Sequence, residues 1–205
     1  MPVTKTHGPE LIKEAYAAGA RVFGENRVQE AAEKADQLAG LADLQWAIIG
    51  HLQSNKVKQV VDFASEFHAL DSVKVAEALD RRLQDQGRIL DVFVQVNSSD
   101  EPQKFGLPPS EVEPFARNLR PFTALRVRGL MTLAVFSDDQ DGLAACFARM
   151  RMLQQRLRDQ DLAPGSYSEL SMGMSNDFEL AIAYGATTVR VGQAIFGPRP
   201  PRRLS

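Results

Sequence analysis

The chain has 205 residues, and its 24 Lys and Arg against 26 Asp and Glu give a formal net charge of −2. A near-neutral balance lacks the basic surface that polyanion binding requires, so nucleic acid is disfavoured as a partner. The single cysteine excludes an internal disulfide or a metal site built from several cysteines. No apolar run approaches the roughly 20 residues that a membrane span needs. Since no secretory signal is recognisable either, we expect a cytoplasmic protein with no membrane partner.

Short apolar runs alternate with helical patterns along the chain. The predicted strands are residues 2–5, 21–24, 46–50, 67–70, 89–96, 125–133, 168–172 and 187–191. The predicted helices are residues 9–18, 28–38, 56–63, 73–83, 110–119, 140–157 and 177–183. Eight strand–helix units predict a single-domain α/β fold, a closed (β/α)8 TIM-type barrel over residues 1–197. We expect residues 198–205, rich in proline and arginine, to be a mobile C-terminal tail.

The alternative architecture is a doubly wound open sheet. Such a fold usually has fewer strands and a glycine-rich first turn that cradles a dinucleotide. The first predicted turn, residues 4–8, lacks the GxGxxG spacing, which disfavours this alternative.

Polar residues collect where the predicted strands end, which is the active face of a (β/α)8 barrel. Lys5 ends the first predicted strand. A lysine in an apolar cavity has a lowered pKa, and its free amine is then a nucleophile suited to Schiff-base chemistry. The alternative is a surface lysine near a frayed terminus, and position alone does not separate the two.

The segments after the seventh and eighth predicted strands form a candidate phosphate site. Residues 171–176 supply two hydroxyls and a glycine before a helix, and residues 190–192 add a second glycine loop. Helix N-termini bind phosphate, and these two loops are its usual site in a (β/α)8 barrel. Ser175 or Asn176 could instead be a plain helix cap. The two segments together favour phosphate binding.

Two further positions are candidates for the walls of a pocket. His51 follows the third predicted strand, where a structural histidine is the commoner outcome. The chain's three histidines lack HExxH spacing, so no metal site is expected. The segment Gly129-Leu130-Met131 is expected to let a ligand ring approach the wall, with packing as the alternative role of its glycine and methionine.

Six segments, in this order, resemble a known family. They are VTKT at 3–6, FGEN at 23–26, IGHLQSNK at 49–56, RGLM at 128–131, LSMGMS at 170–175 and VRVG at 189–192. The set resembles the pyridoxal phosphate homeostasis proteins, small single-domain relatives of the alanine racemase N-terminal barrel. The resemblance spans essentially the whole chain, and the IGHLQSNK and LSMGMS segments are the specific ones.

This resemblance implies a barrel that binds pyridoxal 5′-phosphate (PLP), with Lys5 as the Schiff-base lysine. Arg190 would face the pyridine nitrogen of the cofactor. The implied phosphate-binding residues are Ser171, Ser175, Gly192 and Gln193. The implied pocket residues are Asn26, His51, Asn55 and Met131.

The resemblance also bears on whether the protein is an enzyme. An arginine facing the ring nitrogen disfavours ring protonation and weakens the electron sink on which PLP chemistry depends. Alanine racemases take a second acid/base, a tyrosine, from a separate β domain, for which 205 residues leave no room. We therefore expect a PLP carrier or buffer with little or no catalytic turnover.

Two alternatives remain open, and the implied partners follow from the carrier role. The first alternative is a small PLP-dependent amino-acid racemase. The second is a class I aldolase-type barrel in which Lys5 acts on a sugar phosphate. The implied partners of a carrier are PLP, enzymes that produce PLP and cofactor-free PLP-dependent enzymes, with the chain a monomer or weak dimer.

Overall fold

One parallel sheet organises the chain, in a computed structural model that describes residues 1–99, 101, 103–134, 139–159 and 163–198. Its strands follow one another in sequence order, and each neighbouring pair is parallel. They are β1 (Val22–Glu25), β2 (Gln45–Ile48), β3 (Glu66–Leu70), β4 (Leu90–Val96), β5 (Leu125–Thr132) and β6 (Glu169–Ser171). This order requires a crossover after every strand, as the alternation of the sequence predicted.

Helices supply the crossovers. They are α1 (Pro9–Ala17), α2 (Val28–Gln37), α3 (Val57–Phe63), α4 (Val73–Asp85), α5 (Val112–Asn118), α6 (Gln140–Asp159), α7 (Phe178–Ala183) and α8 (Gln193–Phe196). Short 3₁₀ turns at Ser54–Lys56 and Pro109–Glu111 lead into α3 and α5. The seven predicted helices are confirmed with small shifts of their ends. Sequence analysis missed α8, because its four residues are too few to show a helical period.

The first and last predicted strands are not regular strands. Residues 2–5 and 187–191 pair through isolated parallel bridges, Pro2 with Val191, Val3 with Gly24, and Thr188 with Ser171. The ladder is interrupted at the last of these, because the N–H groups of Thr187 and Thr188 both donate to the carbonyl oxygen of Leu170. The prediction of eight regular strands is therefore wrong at these two segments and confirmed at the other six.

Most of the apolar core lies between the sheet and its helices. The longest helix, α6, buries one face at spacings of three and four residues. The residues of that face are Leu143, Cys146, Phe147, Met150, Leu153 and Leu157. A second, smaller cluster joins Ile12, Phe23, Leu38 and Trp46 near the start of the chain.

Two further predictions concern the C-terminal tail and membrane-spanning segments. The tail predicted for residues 198–205 lies outside the described residues from position 199 onward. Within the described part of the chain, no helix combines the length and the apolar character that crossing a membrane requires.

Candidate functional site

A cavity of about 480 Å³ opens where the strands end. Its walls come from the segments that follow β1, β2, β5 and β6, together with the N-terminal segment and α8. Parallel strands deliver their C-terminal ends to the same side of a sheet, so residues far apart in sequence meet here. The wall contains six of the ten predicted site residues: Lys5, Asn26, Ser175, Arg190, Gly192 and Gln193.

The other four predicted site residues do not line this cavity. The ring of exposed His51 stacks on that of Phe105, with centroids 4.2 Å apart. Asn55 is exposed in the 3₁₀ turn before α3. Met131 and Ser171 are fully buried, at 0% exposure, in β5 and β6. Met131 and Ser171 lie at strand ends as the sequence predicted, but spacing did not show which residues face the cavity.

Gly129 has a packing role. A methyl group at this position would overlap the carbonyl oxygen of Glu169, the residue paired with Gly129 across β5 and β6. The absent side chain therefore allows two strands to approach closely, which is the packing role given above as the alternative. Both interpretations need a glycine, so sequence alone could not separate them.

The residues on both sides of Lys5 are held by a buried cluster of charges. The Thr4 hydroxyl donates to Glu25 Oε1 at 2.6 Å, and the ammonium of Lys34 donates to the same oxygen at 2.6 Å. Lys34 also donates to the Thr4 carbonyl oxygen at 2.8 Å and to Glu30 Oε1 at 2.7 Å. These three acceptors use all three N–H groups of the ammonium.

The same cluster fixes the residue after Lys5. The Thr6 N–H donates to Glu30 Oε1 at 2.6 Å, and Thr6 has a left-handed backbone with φ of 70°. Burial raises the pKa of Glu25, although hydrogen bonds from Lys34 and Thr4 oppose that rise. Sequence analysis missed this cluster. Its one local signal was the i, i+4 pair of Glu30 and Lys34 on α2, which usually marks a solvated face.

Another part of the wall is built from the two predicted glycine segments, which lie side by side. The N–H of Arg190 donates to the Gly173 carbonyl oxygen at 2.9 Å, and the N–H of Ala194 donates to Ser175 Oγ at 3.4 Å. Helix α7 begins at Phe178, and Asp177 Oδ1 accepts the N–H of Met174 at 2.5 Å. Ser175 therefore contacts α8 and does not cap α7.

Arg190 is a buried cation in the wall of the cavity. Its side chain donates from Nη1 to Ser171 Oγ at 2.8 Å and from Nη2 to the Thr132 carbonyl oxygen at 2.6 Å. Burial lowers the pKa of Arg190 to about 10, so the guanidinium is still charged at neutral pH. Among the described residues no carboxylate forms an ion pair with it. A cation buried in this way favours a ligand that accepts hydrogen bonds.

The comparison with known families agrees with the parallel sheet. Residues 1–200 match the sequence model of the alanine racemase N-terminal domain. A Clostridium difficile alanine racemase, 14% identical, superposes with a TM-score of 0.76, covering 97% of this chain and 52% of that one. At this identity the likeness concerns the fold alone. The class is thus an alanine racemase N-terminal-type fold, and the residues that the structure describes contain six regular parallel strands.

Nearer relatives define the family. A pyridoxal phosphate homeostasis protein of Aquifex aeolicus is 38% identical over 197 residues, 96% of this chain and 85% of its own. The human protein of that name is 38% identical over 96% of this chain and 75% of its own. The structure of PipY from Synechococcus elongatus without PLP has a TM-score of 0.90 at 41% identity, covering 96% of this chain and 91% of PipY. This chain belongs to the pyridoxal phosphate homeostasis protein family.

Proposed function

We propose that this protein binds PLP in the cavity and carries or buffers it, with little or no catalytic turnover. The observation that carries the proposal is that Lys5 and Arg190 both line one cavity. Its volume of about 480 Å³ is typical of small-molecule sites. A structure of PipY with PLP bound, 39% identical to this chain with a TM-score of 0.88, supports the choice of cofactor.

The donors in the wall match the functional groups of this cofactor. PLP has a phosphate, a pyridine ring and an aldehyde. The aldehyde reacts reversibly with a primary amine. The Lys5 amine would condense with the aldehyde, with release of water, and Arg190 would donate to the ring nitrogen. Ser175 Oγ and the backbone at Gly192 and Gln193 would hold the phosphate. Asn26 would contact the cofactor from the end of β1.

Close packing around Gly192 gives the phosphate end its shape. A Cβ atom on this residue would lie 3.0 Å from the carbonyl oxygen of Val3. The glycine therefore lets the loop at residues 190–192 pack closely against the backbone of the N-terminal segment that carries Lys5. His51, Asn55 and Met131 are not part of the proposed site, because they lie outside the cavity wall.

We also propose that the sheet closes into an eight-membered (β/α)8 barrel. The bridges of Pro2 to Val191 and of Val3 to Gly24 connect the N-terminal segment on both of its sides. The bridge of Thr188 to Ser171 connects the last segment to β6. These contacts support a continuous ring of parallel segments around Arg190.

The wall, among the described residues, lacks the tyrosine that alanine racemases use as their second acid/base, and this favours a carrier over a racemase. Racemisation needs an acid/base on each face of the substrate carbon. Among the described wall residues the titratable side chains are those of Lys5, His7, Asp177 and Arg190, without a tyrosine. Asp177 already accepts the N–H of Met174. In this proposal the protein exchanges PLP with enzymes that produce it and with cofactor-free enzymes that use it.

Replacing Lys5 tests the assignment. After incubation with PLP and reduction with borohydride, the parent protein should carry the cofactor covalently on Lys5, located by peptide mass spectrometry. Lys5→Ala should carry no covalent label and should still bind PLP weakly through the phosphate. Lys13→Ala, on the exposed face of α1, is the matched control and should label as the parent does. Labelling at another lysine, or no PLP on the parent, overturns the proposal.

A second experiment tests the absence of turnover. The PLP-loaded parent is incubated with a panel of amino acids in deuterated water, and α-hydrogen exchange is followed by NMR. We expect exchange no faster than with free PLP. Rapid exchange or racemisation by the parent would replace the carrier role with that of a racemase.

A further inference from the structure

A chain of buried hydrogen bonds connects Arg190 to the opposite end of the sheet. Ser171 Oγ, which accepts from Arg190, lies 2.9 Å from Nδ1 of His68. Nε2 of the same histidine lies 2.7 Å from Glu66 Oε2. Ser171 and His68 are fully buried, whereas the Glu66 side chain is 23% exposed at the first position of β3. The cavity wall contains Arg190 but none of the other three residues.

The chemistry of these four side chains allows only one direction of proton donation along the hydrogen-bond chain. A carboxylate only accepts hydrogen bonds, so the proton between Glu66 and His68 belongs to Nε2. A neutral imidazole with its proton on Nε2 accepts at Nδ1, and the Ser171 hydroxyl therefore donates to it. The oxygen of that hydroxyl then accepts from Arg190. Each group thus makes the bonds that its donors and acceptors allow.

A protonated, positively charged His68 is disfavoured. An imidazolium at His68 would place a second buried cation one hydroxyl away from Arg190 and would deprive the Ser171 proton of its acceptor. Burial lowers the pKa of His68, and the nearby charge of Arg190 acts in the same direction. Glu66 and Glu169 oppose that shift. The N-terminal ammonium of Met1 lies near Arg190 and Glu66 and donates to the Val189 carbonyl oxygen at 2.8 Å.

We propose that Glu66, His68 and Ser171 are positioning residues that fix the guanidinium of Arg190 toward the cofactor ring. The hydrogen bond from Nη1 to Ser171 and that from Nη2 to the Thr132 carbonyl hold the planar group at two points. The inference rests on the proposed PLP site. It gives Ser171 a role beneath Arg190 in place of the phosphate contact that the family resemblance implies.

The direction of the chain can be tested without PLP. Nitrogen-15 NMR of the histidine side chains distinguishes the two neutral tautomers from the imidazolium. In the parent protein at pH 7, His68 should be neutral with its proton on Nε2. The His68 resonances are assigned by their loss in His68→Gln. If that variant does not fold, long-range couplings assign them. An imidazolium, or a proton on Nδ1, overturns the proposed direction.

The positioning role is tested with bound PLP. Ser171→Ala removes the hydroxyl that joins His68 to Arg190, and Ser65→Ala is the matched control, since Ser65 Oγ donates to the Trp46 carbonyl. We expect Ser171→Ala to raise the Kd for PLP about 3- to 10-fold, the effect of one hydrogen bond, and to shift the absorbance maximum of the bound cofactor. Ser65→Ala should behave as the parent.

Glu66→Gln supplies a second, partly exposed variant in case Ser171→Ala does not fold. It removes the charge at the far end of the chain and should shift the absorbance maximum in the same direction as Ser171→Ala, by less. A parent-like Kd and spectrum in the folded variants overturn the positioning role alone. Failure of the parent to bind PLP overturns the proposed function, and the tautomer measurement still decides the direction of the chain.

Discussion

Replacing Lys34 with methionine removes the cation from the buried cluster beside Lys5. The Lys34 side chain is 7% exposed and that of Glu25 is 0% exposed, so the substitution leaves a carboxyl group buried without its cation. Methionine keeps most of the apolar stem, and the loss therefore reports the charge rather than the packing. The Thr4 hydroxyl remains as a donor to Glu25.

The cost is expected to be large. Removing one partner of a buried ion pair costs about 3–5 kcal/mol. Domains are stable by about 5–15 kcal/mol, so Lys34→Met should lose a substantial fraction of the free energy of unfolding. With a urea m-value of about 2 kcal/mol/M, the midpoint of unfolding should fall by roughly 2 M.

The loss should depend on pH with a definite sign. Burial raises the pKa of Glu25 above its ordinary value of 4.5, and Lys34 opposes this rise, so removing Lys34 raises the pKa further. A carboxyl group with a raised pKa holds its proton more tightly in the folded state than in the unfolded state. The folded protein therefore loses stability as pH rises above the pKa that Glu25 has in the unfolded state. The difference between parent and Lys34→Met should be smaller at pH 5 than at pH 8.

Urea unfolding of the cofactor-free proteins at both pH values measures these differences. The matched control is Lys13→Met, which breaks an ion pair with Glu10 between side chains that are 52% and 77% exposed. It should match the parent at both pH values, because an exposed pair is screened by solvent. A loss in Lys34→Met below about 1 kcal/mol, well under the range for a broken buried pair, would refute the reasoning. An equal loss at pH 5 and pH 8 would refute the assignment of the effect to Glu25.

Two further substitutions separate binding from folding. Ser175→Ala should raise the Kd for PLP roughly 10- to 150-fold, the effect of one charge-assisted hydrogen bond of about 1.5–3 kcal/mol. Titration calorimetry measures that change, and an unchanged Kd contradicts the phosphate contact, while the unfolding of the cofactor-free protein should match the parent. Gly129→Ala should lower the free energy of unfolding by about 3 kcal/mol or more, because its methyl group meets the backbone of Glu169. Gly40→Ala, whose added methyl would meet nothing within 4 Å, is its control, and equal melting temperatures would contradict the close approach of the strands.

The sequence by itself determined the order of the elements and the side of the sheet on which the site lies. Alternating strand and helix patterns predicted six of the regular strands and seven of the helices. Position at strand ends placed Lys5, Ser175 and Arg190 together, because parallel strands deliver their C-terminal ends to one edge. Each of these inferences depends on a local pattern, because the spacing of apolar residues along the sequence shows which face of a strand or helix is buried.

Only the tertiary structure decided which polar residues face the cavity and which hold others in place. His68 and Ser171 are separated by 103 positions, and their hydrogen bond exists because folding brings β3 and β6 together. The pair of Glu30 and Lys34 has the spacing of a solvated helix face, yet Lys34 is buried because Glu25 and Thr4 approach from neighbouring segments. A local period cannot encode such contacts, since the burial of a charged side chain depends on partners that folding brings together.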